Sequence, residues 1–171
     1  TILTYVKNLF VINLILCVAF TSTAQGINTI ENIIETLSIK EKIAMCHAQS
    51  KFSSTGVPRL GIPELWMSDG PHGIRAEMNW DDWNYANWTN DYITAFPALT
   101  CLAATFNPSL SLEYGISLGE EARYRKKDVL LGPGVNIYRT PLNGRNFEYL
   151  GEDPHLAAKM VVPYINGVQQ N

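Results

Sequence analysis

Basic patches and cysteine clusters are missing from this sequence. Its 171 residues include 13 Lys and Arg against 16 Asp and Glu, and only 17% are charged. Proteins that bind nucleic acids carry clustered positive charge, so a nucleic-acid partner is excluded. The hydrophobic content of 46% is that of an ordinary soluble globular protein. One short basic cluster is predicted to be the solvated end of a helix, where cations complement the helix dipole: Arg123, Arg125, Lys126 and Lys127.

Cysteine is scarce. Cys17 lies in an apolar N-terminal segment, which leaves Cys46 and Cys101. We expect these two to be buried thiols, and a disulfide between them is the open alternative.

The apolar run near the N-terminus is short for a membrane span. It extends from Leu9 to Phe20 after Lys7, and small residues follow at 21–24. This order is typical of a secretory signal peptide, so residues 1–24 are predicted to be a signal peptide that is cleaved after Ala24. The mature protein is then secreted or periplasmic, with no stable membrane anchor. The alternative interpretation is a buried or membrane helix.

Motifs for metals and cofactors are also missing. His47 has no second ligand at helical spacing, and the spacing of Asp81 and Asp82 fits no calcium loop. Gly132-Pro133-Gly134 lacks the third glycine and the following helix of a dinucleotide fingerprint. We therefore expect neither a metal nor a cofactor.

What the sequence does contain is an alternation of helix and strand signals. Short apolar runs predict a strand at 65–68 and a buried strand at 128–131. Four helix starts are predicted: Asn28 as a cap, Ser38 and Glu41 as a capping box, and the pairs Asn107-Pro108 and Asp153-Pro154. The second helix should place Ile39, Ile43 and His47 on one face, and the last helix should run to the end of the chain. Together these signals predict an α/β fold with a parallel sheet.

A tight loop follows the first of these strands. Asp69 ends the apolar run, and Gly70, Pro71 and Gly73 turn the chain before Arg75. Such a loop holds a carboxylate and a guanidinium in fixed positions, where they can bind the adjacent hydroxyls of a polyhydroxylated ligand. An equally acceptable interpretation is that Asp69 caps the turn and that Arg75 only pairs with it.

Residues 79–92 show neither strand nor helix periodicity and are predicted to form a long loop. The loop carries the aromatic residues Trp80, Trp83, Tyr85 and Trp88. Aromatic rings beside a polar site often stack on sugars, but the more ordinary interpretation is that they pack the loop against the protein.

Five blocks in this order resemble the family 3 glycoside hydrolases, the β-glucosidase group. They are Trp66–Arg75, Thr94-Ala95-Phe96-Pro97, Leu131–Ile137, Gly144–Tyr149 and Gly151-Glu152-Asp153-Pro154. The resemblance covers about residues 35–171. It implies a (β/α)8 TIM-barrel domain and an exo-acting, retaining β-glucosidase that hydrolyses terminal β-D-glucosyl residues. It also implies that Asp69, Arg75 and Arg145 bind hydroxyls of the terminal sugar.

The sequence departs from the family pattern beyond these blocks. The Lys-His pair and the family's Asp nucleophile and Glu acid/base have no counterpart here, and a complete barrel has eight strands in about 250 residues. The expectation is therefore that residues 25–171 are the N-terminal portion of the barrel and contain no catalytic residue. Alternatives are a β-xylosidase or another family 3 exo-glycosidase, a non-catalytic sugar-binding remnant, or an unrelated α/β scaffold.

Overall fold

The computed structural model describes residues 29–87 and 92–171, and the chain divides into two compact units, 1–42 and 43–171. The predicted signal peptide, residues 1–24, lies outside the described residues. Among the described residues, no helix has the length and apolar character needed to cross a membrane.

The first unit contains helix α1 (Ile30–Thr36) and the start of helix α2 (Ile39–Met45). The hydroxyl of Thr29 accepts a hydrogen bond from the backbone N–H of Asn32, so Thr29 caps α1. The prediction of Asn28 as the cap was wrong, because Thr29 occupies the position from which a side chain reaches the free N–H groups. The capping box of α2 is confirmed, since Ser38 N–H donates to Glu41 Oε2 over 2.8 Å and Glu41 N–H donates back to Ser38 Oγ over 3.3 Å.

The second unit contains a four-stranded sheet in the order β1-β2-β3-β4. Its strands are β1 (Ala48–Ser50), β2 (Ser53–Ser54), β3 (Leu65–Asp69) and β4 (Val129–Leu131). β1, β2 and β3 pair antiparallel, whereas β3 and β4 pair parallel, with Asp69 beside Leu131. The α/β class is confirmed, but the sheet is mixed. The sequence did not reveal the β1–β2 hairpin, because its strands are polar and too short to show apolar alternation.

Two details near the sheet differ from the predictions. His47 does not share a face of α2 with Ile39 and Ile43, because that helix ends at Met45 and His47 lies beyond it, exposed. β4 is not a fully buried strand, since Leu131 is 45% exposed at this edge of the described sheet.

Three helices pack around the core of the second unit: α3 (Leu99–Ala103), α4 (Pro108–Tyr124) and α5 (Pro154–Val168). Asn107 and Asp153 cap α4 and α5 as predicted, through their side-chain oxygens. α5 ends at Val168 rather than at the end of the chain. The short helix α3 was not predicted. The core includes Ile74, Leu99, Leu102, Leu118, Met160 and Tyr164.

Helices α4 and α5 approach each other along a seam of three glycines, which are Gly115 and Gly119 in α4 and Gly167 in α5. A Cβ at Gly167 would lie 2.7 Å from the backbone nitrogen of Ile116, and one at Gly115 would meet the carbonyl oxygen of Tyr164. Only glycine therefore permits this spacing. Ser111 reinforces the seam, because its buried hydroxyl donates to the carbonyl of Met160 over 2.6 Å.

The basic residues after α4 are not uniformly solvated, which corrects the sequence prediction. The guanidinium of Arg125 is buried, and it donates to Glu121 Oε1 over 3.2 Å and to the carbonyl of Tyr92 over 3.0 Å. Lys127 Nζ lies 2.8 Å from Glu77 Oε1, and both side chains are buried. Each cation is buried because a carboxylate lies within reach of it.

The predictions for the cysteines and the aromatic loop have different outcomes. Cys46 and Cys101 are free and exposed, so neither the buried thiols nor the disulfide is observed.

Residues 79–87 form a loop as predicted, closed by one bridge between Met78 and Tyr85. Trp88 lies outside the described residues.

Candidate functional site

The turn after β3 is held in place by the helix seam. Gly70 and Gly73 have φ values of +123° and +152°, which side chains disfavour, and a Cβ at Gly73 would lie 2.5 Å from the carbonyl oxygen of Thr94. The carbonyl of Pro71 accepts a hydrogen bond from Tyr164 Oη over 3.2 Å. The single hydroxyl proton of Tyr114 is shared between the carbonyl of Pro71, 3.1 Å away, and that of Pro97, 2.9 Å away. Burial raises the pKa of both phenols, so both stay protonated and donate. The turn therefore has a fixed backbone.

Asp69 and Arg75 flank this turn and form an ion pair. Arg75 Nη1 lies 3.1 Å from Asp69 Oδ2, and the side chains are 36% and 49% exposed, respectively. Because Asp69 is the last residue of β3, its carboxylate stands at the carboxyl end of the parallel β3–β4 pair. The predicted proximity of acid and guanidinium is confirmed. The pair remains accessible to a ligand. Its predicted role in binding a sugar stays a prediction.

Arg145 belongs to a second turn, just before the 3₁₀ helix Asn146–Glu148. Its guanidinium forms a two-pronged pair with Glu148, in which Nη2 donates to Oε2 over 2.9 Å and Nε donates to Oε1. Hydrogen bonding to Glu148 raises the pKa of Arg145, and the charge of Asp69 contributes in the same direction. The Nε and Nη2 donors of Arg145 are thus directed to Glu148.

His72 connects the first turn with helix α3. Its Nε2 accepts a hydrogen bond from the backbone N–H of Leu99 over 3.0 Å, which requires a neutral ring with the proton on Nδ1. Burial lowers the pKa of His72 despite the opposing charge of Glu148. The ring centroid lies 5.8 Å from that of Phe147. His72 thus links the turn that carries Asp69 with the turn that carries Arg145.

Sequence reasoning missed two partners in this region. No partner of Glu148 was predicted from the sequence, yet the structure shows it as the partner of Arg145. Its spacing of three residues after Arg145 was the available signal. Thr100, in α3, donates to the carbonyl of Tyr149 over 3.0 Å and thereby anchors the second turn. No signal in the sequence indicated this long-range contact.

The side chains described at the site are polar and charged. In the two described ranges, no group of three or more His, Cys, Asp or Glu side chains is arranged to hold a metal ion. Asp69 and Arg75 offer a carboxylate and a guanidinium suited to a ligand with neighbouring hydroxyls, while the guanidinium of Arg145 is paired with Glu148.

The chain is similar to known glycosidases. A β-glucosidase of Bacteroides ovatus, BoGH3A, is 69% identical to the chain over 142 residues, which are 83% of this chain and 19% of the relative. An exo-α-(1→6)-L-arabinopyranosidase of Bifidobacterium longum is 37% identical over 143 residues, or 80% of this chain and 18% of the relative. The structure of β-glucosidase 3B from Thermotoga neapolitana in complex with glucose matches with a TM-score of 0.69 and 36% identity, covering 82% of this chain and 21% of that one.

The chain thus spans about a fifth of the length of these relatives. The family model for the glycosyl hydrolase family 3 N-terminal domain matches residues 23–171. The residues matched by the family model contain every block of the resemblance seen in the sequence, and they include the turns that carry Asp69 and Arg145. The resemblance is confirmed, and the chain belongs to glycosyl hydrolase family 3.

Proposed function

We propose that residues 25–171 are the N-terminal portion of a (β/α)8 catalytic barrel in an exo-acting, retaining β-glucosidase, which is exported by a signal peptide at 1–24. The parallel β3–β4 pair supports the barrel, since each of its strands is followed by a helix, as in the first units of that fold. The names of the relatives support the activity.

The observation that carries the proposal is the exposed Asp69–Arg75 pair at the carboxyl end of β3. In this type of barrel, active sites form at the carboxyl ends of the strands. The carboxylate of Asp69 accepts hydrogen bonds from adjacent sugar hydroxyls, Arg75 donates from its fixed fork, and Arg145 donates from the second turn. Fixed polar groups of this kind orient the terminal sugar before reaction.

The chemical step is proposed to depend on residues other than those described. Retention requires two carboxylates about 5–5.5 Å apart, one as nucleophile and one as acid and then base. Glu148 binds Arg145, and Asp153 caps α5. Neither is assigned a catalytic role, so the 171-residue chain alone is expected to be inactive.

The test uses the complete reading frame that carries this chain, with 4-nitrophenyl β-D-glucoside as substrate. Asp69→Ala should lower kcat/KM by about 100-fold or more, because it removes hydrogen bonds from a charged acceptor. Asp81→Asn, which alters an exposed loop carboxylate, is the matched control and should leave kcat/KM within about twofold. Equal activity of the Asp69 variant and the control would refute the site. A proton NMR time course should show the β-anomer first, and initial release of the α-anomer would refute retention.

A second candidate is an exo-glycosidase of the same family with another sugar preference. The L-arabinopyranosidase of B. longum supports this candidate. It contains a segment similar to this chain, but its name gives a sugar other than glucose. Initial rates on aryl β-glucoside, β-xyloside and α-L-arabinopyranoside separate the candidates. Sugar binding without turnover of any of them would indicate a non-catalytic sugar-binding protein.

A further inference from the structure

An aromatic and cationic cluster lies beside the Asp69–Arg75 pair. It joins Lys51 and Phe52, from the turn between β1 and β2, to Trp83 of the 79–87 loop and to Arg75. The guanidinium carbon of Arg75 lies 5.6 Å from the ring centroid of Trp83 and 5.8 Å from that of Phe52. The two rings contact edge to face, with centroids 6.4 Å apart.

Trp83 gains little from burial at this position. It is 65% exposed, so the hydrophobic effect does not explain a large aromatic ring there. The contacts that the ring does make are with Phe52 and with two cations, since Lys51 Nζ lies 5.2 Å from its centroid. An exposed ring that contacts two cations supplies cation–π attraction. The structure therefore favours a role for Trp83 in contacting Arg75 over a role in packing the loop.

The loop that carries Trp83 is itself held in place. Lys51 Nζ donates to the carbonyl of Asn79 over 3.1 Å and to that of Trp80 over 2.7 Å. Asp82 Oδ1 accepts from Asn79 Nδ2 over 3.1 Å and from the N–H of Asn84 over 2.8 Å. These bonds close the loop around Asp82, next to Trp83, so the ring is presented to Arg75 by a bonded turn.

Arg75 is thus held by two kinds of contact. Asp69 supplies an ion pair along one edge, and Trp83 and Phe52 supply ring contacts. An arginine side chain that is already ordered loses less rotamer freedom when a ligand binds. Without the ring contacts, Arg75 would lose this rotamer freedom only when the ligand binds, and binding would be weaker.

We propose that Trp83 is a positioning residue for Arg75, which it holds in the orientation that binds the terminal sugar. This proposal rests on the function proposed above, because it requires Arg75 to contact the substrate. Trp83 itself is not assigned contact with the sugar.

The test again uses the complete reading frame and 4-nitrophenyl β-D-glucoside. Trp83→Ala should raise KM about fivefold, the effect that a cation–π contact of about 1 kcal/mol at an exposed site supports, and kcat should stay within about threefold. Trp83→Phe keeps a ring beside Arg75 and should restore most of the affinity. Trp80→Ala is the matched control: it removes a half-exposed tryptophan of the same loop but keeps the carbonyl that binds Lys51. It should leave KM within about twofold.

A double-mutant cycle with Arg75→Ala separates positioning from a general effect on folding. If Trp83 acts through Arg75, Trp83→Ala should raise KM less than twofold in the Arg75→Ala background. An equal rise of KM in both backgrounds, or an unchanged KM in Trp83→Ala, would overturn the proposal. Asp69→Ala distinguishes the two failures: if it also leaves kcat/KM unchanged, the proposed site is wrong, whereas a large loss with a silent Trp83→Ala contradicts the positioning role alone.

Discussion

Removal of the buried cation Lys127 should open the sheet beneath the candidate site. Lys127 Nζ lies 2.8 Å from Glu77 Oε1 and 5.6 Å from the ring centroid of Trp66, and the Lys127 and Glu77 side chains are only 6% and 9% exposed. The neighbouring residue ties β3 to β4, since Asp128 N–H donates to the carbonyl of Trp66 over 2.7 Å. Lys127→Met keeps most of the apolar stem and removes the charge.

The expected magnitude follows from the separation of the charges. At 2.8 Å and an effective dielectric constant of about 20, the attraction is about 6 kcal/mol, while burial of each ion costs several kcal/mol. The intact pair therefore contributes little net stability, but loss of Lys127 removes a counter-charge from the buried carboxylate of Glu77. We expect Lys127→Met to destabilise the β3–β4 pairing by about 3 kcal/mol, and the double variant Lys127→Met/Glu77→Gln to recover most of that loss.

Hydrogen–deuterium exchange of the complete protein measures this local opening. Peptides covering 65–69 and 128–131 should exchange about 100-fold faster in Lys127→Met, since each 1.4 kcal/mol is a factor of ten. Lys126→Met is the control, because Lys126 is exposed and adjacent. Exchange in Lys127→Met at the rate of the Lys126 variant, or a double variant that exchanges faster than the single one, would refute the reasoning.

Three further predictions concern the turn, the seam and the sheet edge. Burial lowers the pKa of His72 below its ordinary value of 6.5, so the unfolded chain binds this proton more tightly than the folded chain does. The free energy of unfolding should therefore decrease as the pH falls below about 6.5, and His72→Asn should abolish that dependence. Hydrogen exchange of the Leu99 amide measures both effects. Gly167→Ala should cost about 2–3 kcal/mol in urea unfolding of the complete protein, whereas Gly144→Ala, with no atom within 4 Å of the added Cβ, should cost less than about 1 kcal/mol; equal losses would contradict the seam. The 171-residue chain produced alone should bind hydrophobic dyes and aggregate through β4, where Leu131 is 45% exposed, and a cooperative melt of a monomer would contradict this.

The sequence predicted the elements that have strong local signals. Ser38 with Glu41, Asn107 with Pro108 and Asp153 with Pro154 marked helix starts, because caps and first-turn prolines act within a few residues. Asp69 and Arg75 were expected to be close because a glycine-rich turn separates them. Arg145 could be assigned only through the resemblance to a family.

The errors have a common physical origin in long-range contacts. Lys127 is buried because Glu77 lies beside it, and a local charge pattern cannot show that partner. The β1–β2 hairpin is stabilised by pairing with β3 rather than by its own composition. The exposure of Cys46 and Cys101 likewise depends on packing that no window of sequence contains.

The approach of two tyrosine hydroxyls to the carbonyl of Pro71 has a mechanical consequence. Tyr114 belongs to α4 and Tyr164 to α5, and both hydroxyls meet on one carbonyl oxygen two residues from Asp69. A change in the spacing of the two helices must therefore stretch one hydrogen bond or displace the turn. The three glycines of the seam fix the spacing of the two helices and thereby the position of the Asp69 carboxylate. A methyl group added at Gly115 would clash with the carbonyl oxygen of Tyr164, so it should lower the melting temperature and also displace the turn that carries Asp69.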